Sequence, residues 1–323
     1  MSASGVDAKR GVVVLGVFVA DAAFRTPALP RMGETVLGRS FALGPGGKGS
    51  NQAVAVGRLG GRVTMLTRLG DDAFARLAEA TWREAGVEAR AVRDPESYTG
   101  SACILVDDAS GDNAIVVAPG AGGTITPAHI EAERATIEGA SVLVTQLEQP
   151  LDAAARALAI ARKAGTTTIL NPAPAESLND DLLASCDWIT PNESEAEALT
   201  GLAVADEAGA RAAADALLGR GVGSGPRDGG VIVTLGERGA FLATRNGSTL
   251  VPAFAAGEVV ETTGAGDAFN GGFALGLSEG MAAGDAVRLG CAVAGLSVTR
   301  AGAAASMPAR AEVDALLAAG ASR

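Results

Sequence analysis

Histidine and cysteine are both scarce in this sequence, and their scarcity removes several kinds of active site. The one histidine, His129, lies in a polar stretch, so no histidine cluster is available for zinc or for a Ser-His-Asp triad. The three cysteines, Cys103, Cys186 and Cys291, are far apart and odd in number, which suggests neither a disulfide framework nor a CxxC motif. This usage fits a reducing cytosol.

Long apolar runs and an excess of positive charge are lacking as well. The longest apolar stretch, residues 12–20, is too short to cross a bilayer, and the first ten residues contain no apolar signal core. The 26 basic and 37 acidic residues give a net charge of −11, which opposes attraction to nucleic acid or to an anionic membrane. We therefore expect a cytoplasmic protein without a nucleic-acid or membrane partner, whose phosphate sites are built locally.

Aromatic residues make up only 3% of the chain, whereas apolar residues make up 48%, so the core should consist mainly of alanine, valine and leucine. The 323 residues are many for one ordinary domain, yet α/β folds of this size often form one core with a small appendage. We predict one large domain.

The order of apolar and helical patterns predicts an α/β fold. The opening run 12–21 reads as one buried strand that ends at Asp21, and from Ser141 onwards strands and helices alternate as in a parallel sheet. Between these parts, residues 98–118 contain two Val/Ile-rich runs joined by Ser-Gly-Asp-Asn, which predicts a β-hairpin. Together with residues 33–44 this hairpin is expected to form a small extra sheet.

Ligands of open parallel sheets bind at the carboxyl ends of strands, which directs attention to polar residues that follow apolar runs. Four places qualify: Asp21, Glu148, the TPNESE run at 190–195 and the TTGAGD run at 262–267. Asp21 is either a strand-end cap or an acceptor for a hydroxyl group.

The TTGAGD run has the composition of an anion-binding helix N-terminus. Gly264, Ala265 and Gly266 would present backbone N–H groups and the positive end of the helix dipole to an anion. Asp267, in the first helical turn, could accept a proton from a hydroxyl that attacks a phosphate. A glycine turn followed by an ordinary capping aspartate is the alternative interpretation of this motif taken alone.

The GGKGSNQ run at 46–52 combines glycines, which allow close approach to a ligand, with Lys48 and Asn51, which supply fixed donors. It is not a Walker A loop, because Lys48 is followed by Gly49 and not by serine or threonine. A tight turn with a solvated lysine is the alternative interpretation of this motif taken alone.

Carboxylates and an amide at two of the strand ends have the chemistry for magnesium. Glu148 in one place, and Asn192, Glu193 and Glu195 in the other, could hold the ion through its water shell. A helix cap on the following EAEAL segment explains the TPNESE run equally well.

Five motifs in register resemble those of the ribokinase (phosphofructokinase-B type) sugar kinase family, and the similarity extends through nearly the whole chain. They are GGKGSNQAVA, NPAP, TPNESEAEALTG, VTLGERG and TTGAGDAFNGGF. The resemblance implies a doubly wound, mostly parallel α/β sheet flanked by helices, in a single domain over 11–320. It also implies a small β-sheet lid, from segments at about 17–47 and 97–120, through which many such proteins form homodimers.

The resemblance also implies a role for each matching residue, with ATP, Mg²⁺ and a monovalent cation, expected to be K⁺, as cofactors. The catalytic set is Asp267 as the base, with the amides of Gly264, Ala265 and Gly266. The sugar-binding set is Asp21, Gly47, Lys48, Asn51 and Glu148. The nucleotide set is Asn192, Thr234 and Gly236, with Glu195 on magnesium through water. The positions of the monovalent cation site, several of them acting through backbone oxygens, are Glu261, Thr263, Ser297, Arg300, Gly302 and Ser306.

Three positions depart from the pattern of the family. Val19 stands where ribokinases usually carry an asparagine two residues before the sugar-binding aspartate, and valine cannot bond a hydroxyl. Glu261 stands where an aspartate is usual, which adds a methylene to the cation loop. Cys291 stands where a histidine often lies near adenine, and we interpret it as a core residue without a role.

These observations predict an ATP-dependent sugar kinase that phosphorylates a primary hydroxyl of a pentose such as D-ribose. The alternatives within the class are a kinase for 2-deoxyribose, for another small sugar or for a nucleoside. A dehydrogenase is disfavoured because the opening strand lacks GxGxxG. A sugar sensor without catalysis is disfavoured by the intact Gly-Ala-Gly loop and Asp267.

Overall fold

The computed structural model describes residues 11–320, which form an α/β domain with a separate small sheet. The strands are β1 Val12–Leu15, β2 Val19–Thr26, β3 Ser40–Gly46, β4 Val63–Gly70, β5 Glu88–Asp94, β6 Thr99–Asp107, β7 Asn113–Gly120, β8 Val142–Thr145, β9 Thr167–Leu170, β10 Trp188–Ile189, β11 Gly230–Thr234, β12 Ala240–Thr244 and β13 Gly247–Val251. The helices are α1 Lys48–Arg58, α2 Ala73–Glu84, α3 Pro127–Ala132, α4 Arg134–Glu138, α5 Leu151–Ala164, α6 Asp180–Ala184, α7 Glu193–Thr200, α8 Glu207–Gly219, α9 Ala265–Ser278, α10 Ala283–Ser297 and α11 Arg310–Ala319.

The main sheet has nine strands in the order β13-β12-β11-β10-β9-β8-β1-β4-β5. Its pairs are parallel from β5 through β11, whereas β12 and β13 join as antiparallel strands at one end. Parallel sheets are covered on both faces, which explains the continuous apolar runs in the sequence. The predicted doubly wound, mostly parallel sheet is confirmed.

The two faces of the sheet carry separate hydrophobic cores. Along β1, Val12 and Val14 pack with residues of α1, α2, α9 and α10, whereas Val13 and Leu15 pack with residues of α5, α7 and α8. Side chains of a strand alternate between faces, so one short strand contributes to both cores. No helix within residues 11–320 has the length and apolar character that a membrane span requires.

The second sheet, in the order β3-β2-β6-β7, is the predicted lid. Its strands β6 and β7 form the expected antiparallel hairpin, and β2 pairs with β6 in parallel and with β3 in the antiparallel sense. The lid strands lie at 19–46 and 99–120, inside the expected lid segments.

The prediction of one opening strand that ends at Asp21 is wrong. The run divides at Gly16: β1 stays in the main sheet, and β2 belongs to the lid, with Asp21 in its interior. A Cβ at Gly16 would lie 2.4 Å from Oε1 of Gln146 and 2.8 Å from Cα of Gly49, so only glycine fits where the chain leaves the sheet. An unbroken apolar pattern fits both strands and cannot reveal that the chain changes sheets.

Strand β5 was not predicted from the sequence. It is the edge strand beside β4, and most of its side chains are exposed and polar. Edge strands lack the apolar alternation by which buried strands are recognised.

Candidate active site

Helix α9 begins at the centre of the candidate site. Gly264 precedes it with φ of 81°, a left-handed conformation that glycine adopts without strain, and Asp267 lies in its first turn. The Asp267 side chain is 7% exposed. The helix therefore presents its positive end and one buried carboxylate at the same place.

The Asp267 carboxylate is hydrogen-bonded by two amides from the start of α1. Asn51 donates from Nδ2 to Oδ2 at 2.9 Å, and Gln52 donates from Nε2 to Oδ1 at 3.0 Å. Asn51 Oδ1 is buried and has no partner within residues 11–320, so it is available to accept from a ligand hydroxyl. The structure thus brings the GGKGSNQ and TTGAGD motifs together.

Glycines in α9 make this meeting possible. A Cβ at Gly271 would lie 2.5 Å from Cβ of Ala55 in α1, and one at Gly272 would lie 3.0 Å from Cα of Gly290 in α10. Helices approach this closely only through residues without side chains. The Gly271–Gly272 pair therefore sets the packing distance of the helices that carry Asn51, Gln52 and Asp267.

The predicted sugar-binding residues lie around the N-terminus of α1. Gly47 precedes the helix with φ of 87°, and the backbone N–H of Lys48 donates to Oε2 of Glu148 at 2.8 Å. In the lid, the Asp21 carboxylate packs against Gly46, where a Cβ would come within 2.1 Å of Oδ2. Lid, loop and main sheet each contribute one part of this region.

The carboxylates here influence one another electrostatically. Burial raises the pKa of Asp21 to about 6 and that of Glu148 to about 7, and it also raises the pKa of Asp267. The Lys48 ammonium opposes the rise for both Glu148 and Asp267, whereas their mutual repulsion adds to it for Glu148. A group with a pKa near neutrality can take up or release a proton under working conditions.

On the other side of the first turn of α9 lies a cavity of about 610 Å³. Asn192, Thr234, Gly236, Ala265 and Gly266, all predicted from the sequence, line it. The remaining wall comes mainly from residues 253–257 and from one face of α10, with small or apolar side chains. The volume and the apolar wall with a few polar groups are typical of a nucleotide-sized ligand site.

The TPNESE run both caps a helix and lines the cavity. Asn192 and Glu195 form a reciprocal capping box at the start of α7, since Asn192 Oδ1 accepts from the Glu195 N–H at 2.8 Å and Glu195 Oε2 accepts from the Asn192 N–H at 2.9 Å. Asn192 also pairs with Thr234, which holds it at the cavity wall. Helix capping and lining of the cavity are therefore compatible.

The residues near the cavity could hold a magnesium ion through one carboxylate, that of Glu195, and the water molecules of the ion. Within the described part of the chain, no group of three or more His, Cys, Asp or Glu side chains could hold a metal ion directly. Glu195 keeps one oxygen beyond its capping bond, whereas Glu193 is paired with Arg238. This arrangement suits an ion that keeps most of its water shell.

The predicted monovalent-cation positions lie on the loop before α9, at the end of α10 and in the loop that follows α10. Glu261 Oε2 accepts from the Gly302 N–H at 2.8 Å, and Gly264 lies against Ala303. Ser297 and Ser306 are buried and bond within their own turns. The Arg300 side chain forms an ion pair with Glu312, which leaves its backbone oxygen as the group that could face a cation. Thr263 is exposed.

One predicted anion-hole amide already has an internal partner. The N–H of Ala265 donates to the carbonyl oxygen of Thr262 at 3.1 Å. An anion at this helix N-terminus would compete with that turn for the Ala265 amide.

Two residues that depart from the family pattern have clear surroundings. Val19 is 5% exposed and packs in the small lid cluster with Val17 and Ala102. Cys291 belongs to the main core, as expected, but it also reaches the cavity wall, and burial raises the pKa of its thiol to about 12.

Two sets of site residues were missed. Gln52 lies inside the recognised GGKGSNQ motif, and its hydrogen-bond partner Gln146 lies two residues before Glu148. Both side chains are fully buried, and the sequence alone does not reveal this burial. The wall residues of the cavity at 253–257 are small and apolar and carry no chemical signature. Only their position beside α9 identifies them.

A buried carboxylate at a helix N-terminus, between a nucleotide-sized cavity and a loop with further carboxylates, is suited to moving a phosphoryl group onto a hydroxyl. The site and the doubly wound sheet together define a kinase of the α/β class.

The comparisons with known proteins agree with this class. The sequence profile described as pfkB family carbohydrate kinase matches residues 9–310. The chain is 38% identical over 305 residues to the ribokinase of Haemophilus influenzae, covering 94% of this chain and 97% of that protein. It is 36% identical over 299 residues to the deoxyribokinase of Salmonella typhi, covering 92% and 95%.

Among solved structures, Arabidopsis thaliana ribokinase complexed with ribose and ATP superposes with a TM-score of 0.87 at 29% identity, covering 95% of this chain and 98% of that one. The chain belongs to the pfkB family of carbohydrate kinases.

Proposed function

We propose that this protein transfers the γ-phosphate of ATP to a primary hydroxyl of a pentose, with D-ribose as the first candidate acceptor. The observation that carries the proposal is the contact of Asn51 Nδ2 with Asp267 Oδ2, because it joins the sugar-side loop to the helix N-terminus that borders the nucleotide-sized cavity. The similarity of the protein to ribokinases, including one whose structure holds ribose and ATP, supports ribose as the acceptor.

In the proposed reaction, Asp267 accepts the proton of the attacking hydroxyl while that oxygen forms a bond to the γ-phosphorus. The bond from phosphorus to the bridging oxygen breaks in line, and ADP leaves with its electron pair. The backbone amides at Gly264 and Gly266 and the dipole of α9 stabilise the charge on the transferred group. Asp21, Glu148 and Asn51 orient the sugar by accepting from its hydroxyls, and Lys48 adds positive charge beside them.

For cofactors, we propose magnesium bound with ATP near Glu195 and a monovalent cation at the 261–264 and 302–306 loops. Magnesium would supply neutralisation of phosphate charge. Glu195 would orient its water shell, and the Glu261 carboxylate would fix the loop next to the anion hole through its bond to Gly302.

A second acceptor, 2-deoxyribose, is favoured by Val19. This side chain is buried two residues before Asp21 on β2, so the two point to the same face of the lid. An apolar group there cannot bond a hydroxyl and suits a methylene, and a site without the donor loses its preference for the hydroxylated sugar. The similarity to a deoxyribokinase agrees with this candidate.

The test is one panel of pentoses, hexoses, 2-deoxyribose and nucleosides with ATP and magnesium, run in potassium and in sodium. Phosphorylation of a pentose at its primary hydroxyl supports the proposal. A higher kcat/KM for 2-deoxyribose than for ribose would select the second acceptor, whereas a large excess for ribose would reject the argument from Val19. Turnover of nucleosides alone, or of nothing, would overturn both.

We also propose a cytoplasmic homodimer that assembles through the lid. The strand register places Phe24, Phe41, Leu43 and Val116 on one face of the lid sheet, where all four are more than a third exposed. A second copy would cover this face. Light scattering should give twice the mass of the chain, and Phe41→Asp should give a monomer; a monomeric parent protein would refute the dimer.

A further inference from the structure

The catalytic carboxylate is held by a side chain that has no place in the proposed reaction. Gln52 is 0% exposed and donates to Asp267 Oδ1, whereas Asn51, its neighbour on α1, belongs to the proposed sugar site. Gln52 does not line the nucleotide-sized cavity. Its influence on a reaction would therefore pass through Asp267.

The Gln52 amide can adopt only one orientation. Its Nε2 group has two hydrogens, and they are donated to Asp267 Oδ1 at 3.0 Å and Asn171 Oδ1 at 3.1 Å. Its Oε1 accepts from Gln146 Nε2 at 2.6 Å. If the Gln52 amide were flipped, its oxygen would face the oxygens of Asp267 and Asn171, and its nitrogen would face the nitrogen of Gln146.

The ends of this network fix its direction. Asn171 Nδ2 donates to the carbonyl oxygen of Thr190 at 3.1 Å, and a backbone carbonyl can only accept. Asn171 must therefore direct its oxygen towards Gln52, which must direct its nitrogen towards Asp267. The ionised Asp267 carboxylate, which accepts only, agrees with this direction.

Two glycines leave space for the last member of the network. A Cβ at Gly16 would lie 2.4 Å from Gln146 Oε1, and one at Gly49 would lie 2.8 Å from the same atom. Gln146 is 0% exposed, and this oxygen has no partner within residues 11–320. An unpaired buried oxygen is costly, and the chain retains this one on the amide whose nitrogen bonds Gln52.

We propose that Gln52, held by Gln146 and Asn171, is a positioning residue that orients Asp267 and keeps it ionised for proton abstraction. This inference rests on the proposed function, because it assigns to Gln52 the preparation of the base. Each oxygen of the carboxylate keeps a further lone pair, so the two amide donors leave room for a hydroxyl proton.

Burial and the donors act in opposite directions on the base. Burial raises the pKa of Asp267, whereas the Lys48 charge and the bonds from Asn51 and Gln52 lower it. Glu148 and Glu195 are the other titratable groups coupled to Asp267 in this region. Removal of a donor to the charged form should raise the pKa of Asp267 and move the acidic limb of the activity profile to higher pH.

The experiment compares Gln52→Met, which keeps the length of the side chain but removes its hydrogen bonds, with the parent protein. We expect kcat to fall by roughly 10- to 100-fold, KM for ATP to stay within about 2-fold, and the acidic limb of kcat/KM for the sugar to move up by about one pH unit. Gln146→Met should move the limb in the same direction with a smaller loss, because Gln52 loses only its anchor.

Ser50→Ala is the matched control. Ser50 lies in the same helix, is fully buried and accepts a hydrogen bond from Trp82 Nε1 at 2.9 Å, but it does not contact Asp267. The Ser50→Ala variant should have a lower melting temperature, and the acidic limb of its activity profile should stay at the parent pH. If Gln52→Met and Gln146→Met keep the parent limb, or if Ser50→Ala moves it equally, Gln52 is only structural and the inference fails. Failure of the parent protein to phosphorylate any sugar would instead refute the proposed function.

Discussion

The two halves of the site are built from different materials. On the acceptor side, Asp267, Asn51 and Gln52 are buried and Glu148 is partly buried, and these polar groups have hydrogen-bond partners at 2.8–3.0 Å. On the nucleotide side, the wall of a cavity of about 610 Å³ consists mainly of glycine, alanine and other apolar residues. Orientation of reacting atoms needs fixed polar partners, whereas a cofactor is held by shape and apolar contact.

The largest effect should come from Asp267→Asn, which removes the base from the acceptor half. Asparagine cannot take the proton, and its amide group would face one of the two donors that now bond the carboxylate. We expect kcat to fall by about 10²- to 10⁴-fold with folding retained. Near-normal turnover in a coupled ADP assay would reject the assigned base.

Gly271→Ala tests whether the acceptor half depends on the close approach of α1 and α9. The new Cβ would lie 2.5 Å from Cβ of Ala55, so the helices must separate or strain. We expect a loss of roughly 1–3 kcal/mol of stability and a fall in kcat of about 10-fold.

The control for that change is Gly284→Ala, since a Cβ there meets nothing within 4 Å and the residue lies in helix α10. It should leave kcat unchanged and raise stability slightly. Equal losses in both variants would show that the helix contact has no special part in the site.

Glu148→Gln tests the charge of the acceptor half through pH. The folded-state pKa of Glu148 is raised to about 7 from an ordinary 4.5, so the folded protein binds this proton more tightly than the unfolded chain does. The resulting stabilisation is complete below pH 4.5 and is lost as the pH rises through 7. Glutamine keeps an acceptor for the Lys48 N–H and carries no charge.

We therefore expect Glu148→Gln to be more stable than the parent by about 1–3 kcal/mol near pH 8 and to lose that advantage towards pH 4.5. KM for the sugar should rise by about 10-fold at neutral pH, because a carboxylate is the stronger acceptor. Urea melts at the two pH values measure the first effect; the same difference at both would contradict the assigned titration.

The smallest effect should come from the nucleotide half. Ala294→Leu would fill part of the apolar wall, and we expect KM for ATP to rise by about 3- to 10-fold while KM for the sugar changes by less than about 2-fold. Equal changes in both constants would show that the two halves are not separate.

The fold and much of the site could be predicted from the sequence because their signals are local. Buried parallel strands give apolar runs, and glycine-rich turns followed by helix formers indicate where α1 and α9 begin. The transfer of the chain between sheets at Gly16 and the exposed edge strand β5 could not be predicted, since neither changes the apolar pattern in a recognisable way.

The amide network shows a different limit. Gln52, Gln146 and Asn171 are separated by as many as 119 residues in the sequence, and glutamines and asparagines are ordinary surface residues. Their function depends on burial and on which atom donates to which, and both follow from tertiary packing. The ion pair of the Arg300 side chain with Glu312 depends in the same way on tertiary packing, here on the position of α11.

The most direct test of the base is a crystal structure with the sugar and a non-hydrolysable ATP analogue bound together. We predict that an Asp267 oxygen lies within about 2.6–3.2 Å of the primary hydroxyl, with the γ-phosphate at the start of α9 on the far side of that hydroxyl. A hydroxyl that instead contacts Glu148, with Asp267 beyond hydrogen-bonding reach, would contradict the central claim.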